Sequence, residues 1–157
     1  MALRFIVPAL VAGLALVPSG VARPADPKPV AAFTLADADG KKWAVADQKA
    51  KFTVVAFLAL ECPMSNGYLP VLGEVATKYA DKGVALVGVF PDTETTPAQA
   101  AAHAKEYKVL FPVFADREQV SVAALGPKVT PEVVVLDEKL VVRYRGRIDD
   151  GFAARLK

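Results

Sequence analysis

The chain has 157 residues, 54% of them hydrophobic, and 19 Lys and Arg against 17 Asp and Glu give it a formal charge of +2. That length supports one compact core and leaves little for a second, and so weak and unclustered a charge excludes a nucleic-acid role. A single cysteine and a single histidine are too few soft ligands for a copper or zinc site, so no metal and no cofactor is expected.

Met1-Ala2-Leu3-Arg4 carries one positive charge, Phe5 to Val17 is an apolar run, and Pro18 to Ala22 offers the small residues of a signal-peptidase cut. The cut is placed after Ala22, which makes residues 1–22 a signal peptide and the destination periplasmic or otherwise extracytoplasmic. The run falls short of the roughly 20 residues a membrane span needs, so membrane contact is expected only if the leader stays uncleaved. Residues 23–30 are polar and proline-rich and read as a linker ahead of a domain over 31–157. Small exported domains that need covalent support carry cysteines in pairs. This chain must rely on packing instead, which leaves Cys62 as either a buried filler or a working thiol.

Phe33-Thr34-Leu35-Ala36 and Lys42-Trp43-Ala44-Val45 flank Asp39-Gly40, a hairpin-turn pattern. Phe52 to Leu58 is continuous and β-rich, as a strand buried on both faces would be. From Pro63 the residues Met64, Leu69, Leu72, Val75 and Tyr79 fit a helix face, with Pro70 as an expected kink and Lys82-Gly83 as the end. Val84 to Phe90 is a second buried strand, and strand, helix, strand in that order predicts a right-handed crossover between parallel strands. Pro97 to Tyr107 reads as a helix entered through Thr95-Thr96, and Phe111 to Phe114 as a short extended segment closing at Asp116. Glu132 to Leu136 and Leu140 to Tyr144 form an antiparallel hairpin around Asp137-Glu138-Lys139. The sum is an α/β fold with a mixed central sheet flanked by helices and preceded by a β-hairpin.

Cys62 stands where the first buried strand gives way to the helix, in Leu60-Glu61-Cys62-Pro63-Met64-Ser65. Unpaired N–H groups and the positive end of the helix dipole favour thiolate there. The spacing is that of a Cys-x-x-Cys pair, but Ser65 occupies the second cysteine's place, so no internal disulfide can form.

Hairpin, strand, Cys62-Pro63 at a helix start, strand, then Val129-Thr130-Pro131-Glu132 opening a hairpin: this order resembles the thioredoxin fold. Within it the chain is similar to the redoxin branch, which groups alkyl hydroperoxide reductase/thiol-specific antioxidant proteins with exported thiol:disulfide oxidoreductases. The likeness covers Phe33 to Arg147 and rests on Phe57, Cys62-Pro63 and Thr130-Pro131. It implies that Cys62, followed by Pro63, is the catalytic sulfur and that Thr130 and a cis Pro131 face it and hold partner backbone; Ser65 and Glu61 are the neighbouring side chains expected to act on that sulfur. The pattern departs from the family's in several places. Glu61 stands where family reductases have tryptophan, Ser65 where they have cysteine, and Ala56 where thioredoxin-type enzymes have a buried acid. Val55 and Ala59 occupy the proline and threonine or serine positions of the peroxidase branch. Family domains also add a helix after the last strand, whereas here only Gly151 to Lys157 follows, so either a short helix suffices or the sequence stops before one.

The resemblance implies thiol-disulfide exchange, and Ser65 in the second cysteine's place limits it to monothiol exchange or isomerisation. Cys62 would attack a disulfide and form a mixed disulfide, and an external thiol reductant would release it. Protein or small-molecule thiols and disulfides are then the partners. A non-catalytic module holding an extended peptide between Cys62-Pro63 and Thr130-Pro131 is the second reading, and a one-cysteine peroxidase the third. Glu61 is expected to oppose thiolate formation, and Ser65 to donate to the thiolate. His103 is expected on a solvated helix position. Arg143, Arg145 and Arg147 are expected to protect an edge strand from pairing.

Overall fold

The computed structural model describes residues 28–151. The leader, the linker up to residue 27 and the expected C-terminal turn beyond Gly151 lie outside the described residues.

Five strands form the central sheet: β3 (Phe52–Phe57), β4 (Val84–Phe90), β5 (Val113–Ala115), β6 (Glu132–Asp137) and β7 (Val142–Gly146). Their order is β5-β4-β3-β6-β7. β3 runs parallel to β4 and β4 to β5, whereas β6 is antiparallel to both β3 and β7, which is the expected parallel crossover followed by an antiparallel hairpin. The N-terminal hairpin, β1 (Thr34–Ala36) and β2 (Lys42–Ala44), is a separate two-stranded sheet with Leu35 opposite Trp43. Its turn is tied by Asp37, whose carboxylate accepts from the Asp39 and Lys41 N–H groups.

Alternation along the central strands divides the interior into two cores. Val55, Phe57, Val87, Val89, Val134 and Leu136 face the hairpin residues Phe33 and Leu35 and the helical residue Leu125. Ala56, Leu58, Leu86, Phe90 and Val133 face the opposite way, toward Tyr68, Leu69, Leu72 and Ala100 on two helices. Because both faces are covered, β3 and β4 read as continuous apolar runs. Each aliphatic or aromatic side chain so buried contributes about 1.5–3 kcal/mol. Gly88 is closely packed, since a Cβ there would lie 3.1 Å from Phe111 and 3.2 Å from Leu58 and Val113, and those side chains would have to give way.

Helix α1 (Pro63–Tyr79) has Cys62 as N-cap and runs through Pro70. Its buried face is Ser65, Tyr68, Leu69 and Leu72, which corrects the predicted face at both ends, because Met64 and Tyr79 are exposed. Tyr79 is covered by the Lys78 and Lys82 ammonium groups instead. A 3-10 turn over Ala80–Lys82 ends at Gly83, whose φ of +80° suits glycine. Helix α2 (Pro97–Glu106) begins with a capping box between Thr96 and Gln99.

A third helix, α3 (Val120–Leu125), was not expected. Buried Asp116 starts it: its carboxylate accepts from the Val120, Ser121 and Val122 N–H groups and from the Ser121 hydroxyl. The last strand begins at Val142 rather than at the expected Leu140. Asp137 Oδ1 accepts from both Lys139 and Val141 N–H groups at 2.9 Å, which carries the turn through Val141. At the end of the predicted linker, Val30 N–H donates to the Leu140 carbonyl at 2.9 Å and Pro29 bridges Val141.

Candidate active site

Strand β3 delivers the site. Its ladder with β4 continues one residue past Phe57, with Leu58 N–H on the Val89 carbonyl at 2.9 Å. The chain then turns through Ala59, Leu60 and Glu61, and Cys62 N–H closes on the Ala59 carbonyl at 3.3 Å. Cys62 has extended backbone at the N-cap, with φ −85° and ψ 114°, and Pro63 follows as the first helical residue, where its missing N–H costs nothing.

The thiol of Cys62 is half-buried. Sγ closes no capping hydrogen bond of ordinary geometry, but the N–H groups at the helix start still act on its charge. The Ser65 N–H above all, then the Ser65 hydroxyl and the Met64 N–H, hold the thiol below its ordinary pKa of 9.0 against the opposing effect of burial. Stabilisation by helix N-terminal donors is how an isolated sulfur becomes nucleophilic.

Ser65 is 1% exposed. Its Oγ accepts from Ala59 N–H at 3.1 Å, and its hydroxyl is among the groups that lower the Cys62 pKa. Glu61 is exposed on the rim.

Thr130 and Pro131 lie at the same end of the sheet as the Cys62 turn, because Phe57 at the end of β3 pairs with Glu132 at the start of β6. The Thr130–Pro131 peptide bond is cis. Cys62 and Glu61 line a hollow of about 280 Å³, and Thr130 and exposed Val129 line another of about 370 Å³. Leu58, Ala59 and Asp92 belong to both walls, so the two hollows adjoin the turn that carries the thiol. Half-buried Pro131 lines neither.

Two polar residues near this site were given no role in the sequence reading, and a third was misplaced. Glu132, adjacent to Pro131, is buried and accepts from Lys128 N–H at 2.8 Å. Asn66 donates from Nδ2 to the Leu60 carbonyl at 3.0 Å and to the Tyr107 hydroxyl at 3.2 Å. His103 corrects an expectation: it is buried, not solvated, with Nε2 2.9 Å from Asn66 Oδ1. The alanines around it hid this, since small side chains let α2 pack closely enough to bring the ring against Phe90. The one available pointer was a polar residue one turn after Cys62, at Asn66. Among the described residues no cluster of three or more His, Cys, Asp or Glu could hold a metal ion.

Arg143 and Arg145 sit on β7, the edge strand of the sheet, and Arg147 follows just after it; each has a partner. Arg143 pairs with Asp137 at 2.6 Å, Arg145 donates to the Gly126 carbonyl, and Arg147 pairs with Asp150 at 2.7 Å.

Residues 27–147 match the AhpC/TSA family. The chain is 28% identical over 111 residues to the thioredoxin-like protein YneN of Bacillus subtilis, covering 71% of this chain and 65% of that protein. It is 28% identical over 116 residues to the thiol-disulfide oxidoreductase ResA of Bacillus cereus, covering 73% and 66%. The chain therefore spans just under two thirds of the length of these relatives. The thioredoxin domain of a thiol-disulfide oxidoreductase from Bacteroides vulgatus superposes with a TM-score of 0.68 at 18% identity, over 85% of this chain and 96% of that one, and fixes the fold as thioredoxin-like.

Proposed function

This chain belongs to the AhpC/TSA family, and from that premise we propose that it performs thiol-disulfide exchange with one sulfur, through a mixed disulfide. The observation that carries this reading is the place of Cys62: half-buried at the N-cap of α1, lining a hollow, with its thiolate favoured by the Ser65 and Met64 N–H groups.

In the first step the Cys62 thiolate attacks one sulfur of a disulfide. A new S–S bond forms to Cys62, the old one breaks, and the departing thiolate takes a proton from solvent. Ser65 cannot attack the mixed disulfide, because a hydroxyl is not a redox sulfur. A second thiol therefore attacks the partner's sulfur, forming a new disulfide with it and releasing Cys62 as thiolate. The cycle exchanges or isomerises disulfides, and it reduces them only when the second thiol is supplied as reductant. Thr130 and Pro131 serve in this reading as the wall against which partner backbone lies, with Pro63 and Ser65 supporting the sulfur and Glu61 on the rim. Export belongs to the same proposal, supported by the charge, apolar run and small residues of positions 1–22.

The test is the rate of Cys62 alkylation against pH in the folded protein, together with exchange against a small disulfide. An acidic, fast-reacting thiol whose exchange vanishes in Cys62→Ser supports the enzyme. A thiol that stays unreactive while the protein is folded leaves a peptide-holding module in its place.

A further inference from the structure

Behind the Cys62 turn lies a polar cluster that the exchange step does not touch. Asn66 is one helical turn from Cys62, and its side chain meets three groups: the Leu60 carbonyl at 3.0 Å, the Tyr107 hydroxyl at 3.2 Å and His103 Nε2 at 2.9 Å. A carbonyl oxygen only accepts, so the Asn66 atom facing Leu60 is the amide nitrogen, and Oδ1 is left facing the ring. Nε2 must then carry the proton, which fixes the neutral tautomer of His103. The ring is held in place by stacking on Tyr107, with centroids 4.5 Å apart, and by the edge of Phe90 at 5.3 Å. Its Nδ1 is buried and makes no hydrogen bond among the described residues. The polar groups that face this histidine from the turn side are the Asn66 amide and, acting on its charge, the Leu60 carbonyl.

The same turn is gripped twice from α1. Ser65 Oγ holds the Ala59 N–H and Asn66 Nδ2 holds the Leu60 carbonyl. Consecutive residues of the helix thus fasten consecutive residues of the turn, and the turn sets where the sulfur sits against the helix start.

We propose that His103 and Asn66 are positioning residues for Cys62: His103 fixes the Asn66 amide, the amide holds Leu60, and Leu60 sets the turn that presents the thiol to the Ser65 and Met64 N–H groups. An amide already locked on both its atoms needs no further ordering when the thiolate forms. The inference rests on the single-thiol reading above, and it is tested apart from exchange activity.

The experiment follows alkylation of Cys62 by iodoacetamide as a function of pH, in the full chain, with folding of each variant checked by circular dichroism. Asn66→Ala and His103→Phe, which keeps an aromatic ring against Phe90 and Tyr107, should move the profile to higher pH. Labelling near neutrality should slow by roughly three- to tenfold, the worth of one hydrogen bond, and converge with the wild type under alkaline conditions. The double variant should be no slower than Asn66→Ala, since His103 acts through that amide. His103→Gln keeps an N–H donor near the Nε2 position and should retain the wild-type profile. Folded Asn66→Ala protein with an unchanged profile overturns the inference, and that half-buried position decides the matter even if His103→Phe fails to fold. A wild-type thiol that titrates at its ordinary value defeats the single-thiol reading and this inference together, whereas an acidic wild-type thiol with unchanged variants defeats this inference alone.

Discussion

Ser65 Oγ accepts a hydrogen bond from Ala59 N–H at 3.1 Å, so the residue in the place of a second cysteine fastens the strand-to-helix turn. A serine oxygen does this well and a sulfur poorly, because sulfur is a weak acceptor. The substitution that removes internal disulfide chemistry therefore also gives the Cys62 turn a fixed shape. The same hydroxyl helps hold the Cys62 thiol below its ordinary pKa. One serine thus both fastens the turn and acts on the neighbouring thiol.

Ser65→Cys should restore an internal disulfide, since two cysteines at this spacing in a first helical turn can reach bonding distance. It should also weaken the reduced protein by about 1–2 kcal/mol, because the Ala59 N–H loses a good acceptor. Denaturation with and without a reducing agent separates the two effects. Mass analysis under non-reducing conditions reads the disulfide directly, and a variant that stays fully reduced in an oxidising buffer would count against the geometry.

Cys62→Ser should cost stability only on the alkaline side. The folded state lowers the Cys62 pKa from 9.0, so between that lowered value and 9.0 the unfolded chain binds the extra proton and stability rises with pH. The contribution is complete above 9.0 and is lost as pH falls through the folded value. Wild type and variant should thus diverge in urea unfolding at about pH 9 and converge at about pH 5. Equal differences at both ends would mean that the thiolate gains nothing from the fold.

The central sheet was legible because β3 and β4 are buried on both faces, and double burial writes itself as an unbroken apolar run. The Cys62 N-cap was legible for a similar reason, since Pro63 marks a first helical residue. What failed to show depended on partners distant in sequence or on short elements. Helix α3 has six residues, too few to display a period, and it is started by the Asp116 carboxylate rather than by a capping residue beside it. His103 looked solvated because its burial depends on Asn66 and Tyr107, and Asn66 lies on a different helix. Met64 and Tyr79 fitted an apolar period but fall at the ends of α1, where the helix overhangs its core. A bulge between β6 and β7 and the Asp137 turn displaced the last strand, and neither leaves a mark in residue pattern.

Exported material should begin near Arg23. The basic start, apolar run and small residues of positions 1–22 motivate the cut after Ala22. Intact mass of protein recovered outside the cytoplasm should lack the leader, with no activity lost relative to full-length chain. Recovery of Met1 in a membrane fraction would make the leader an anchor instead, and the partners would then be confined to that surface.

Acid should destabilise this fold through His103. Burial pushes the imidazole below 6.5, outweighing the opposing effects of the Glu106 carboxylate on the same helix and the Leu60 carbonyl. A proton added at Nδ1 would create a buried N–H without an acceptor among the described residues. The unfolded chain binds that proton first, so stability is full above 6.5 and falls as pH drops from there toward the lowered folded value. His103→Gln cannot titrate, and its unfolding midpoint should therefore decline less than the wild type's between about pH 7 and about pH 5. Because His103 reaches Cys62 only through Asn66 and Leu60, the same pH range should loosen the turn before the whole domain unfolds. Faster amide hydrogen exchange at Ala59 and Cys62 in that range, after correction for intrinsic rates, would register it. Identical pH dependence in wild type and His103→Gln would place the acid sensitivity elsewhere in the molecule.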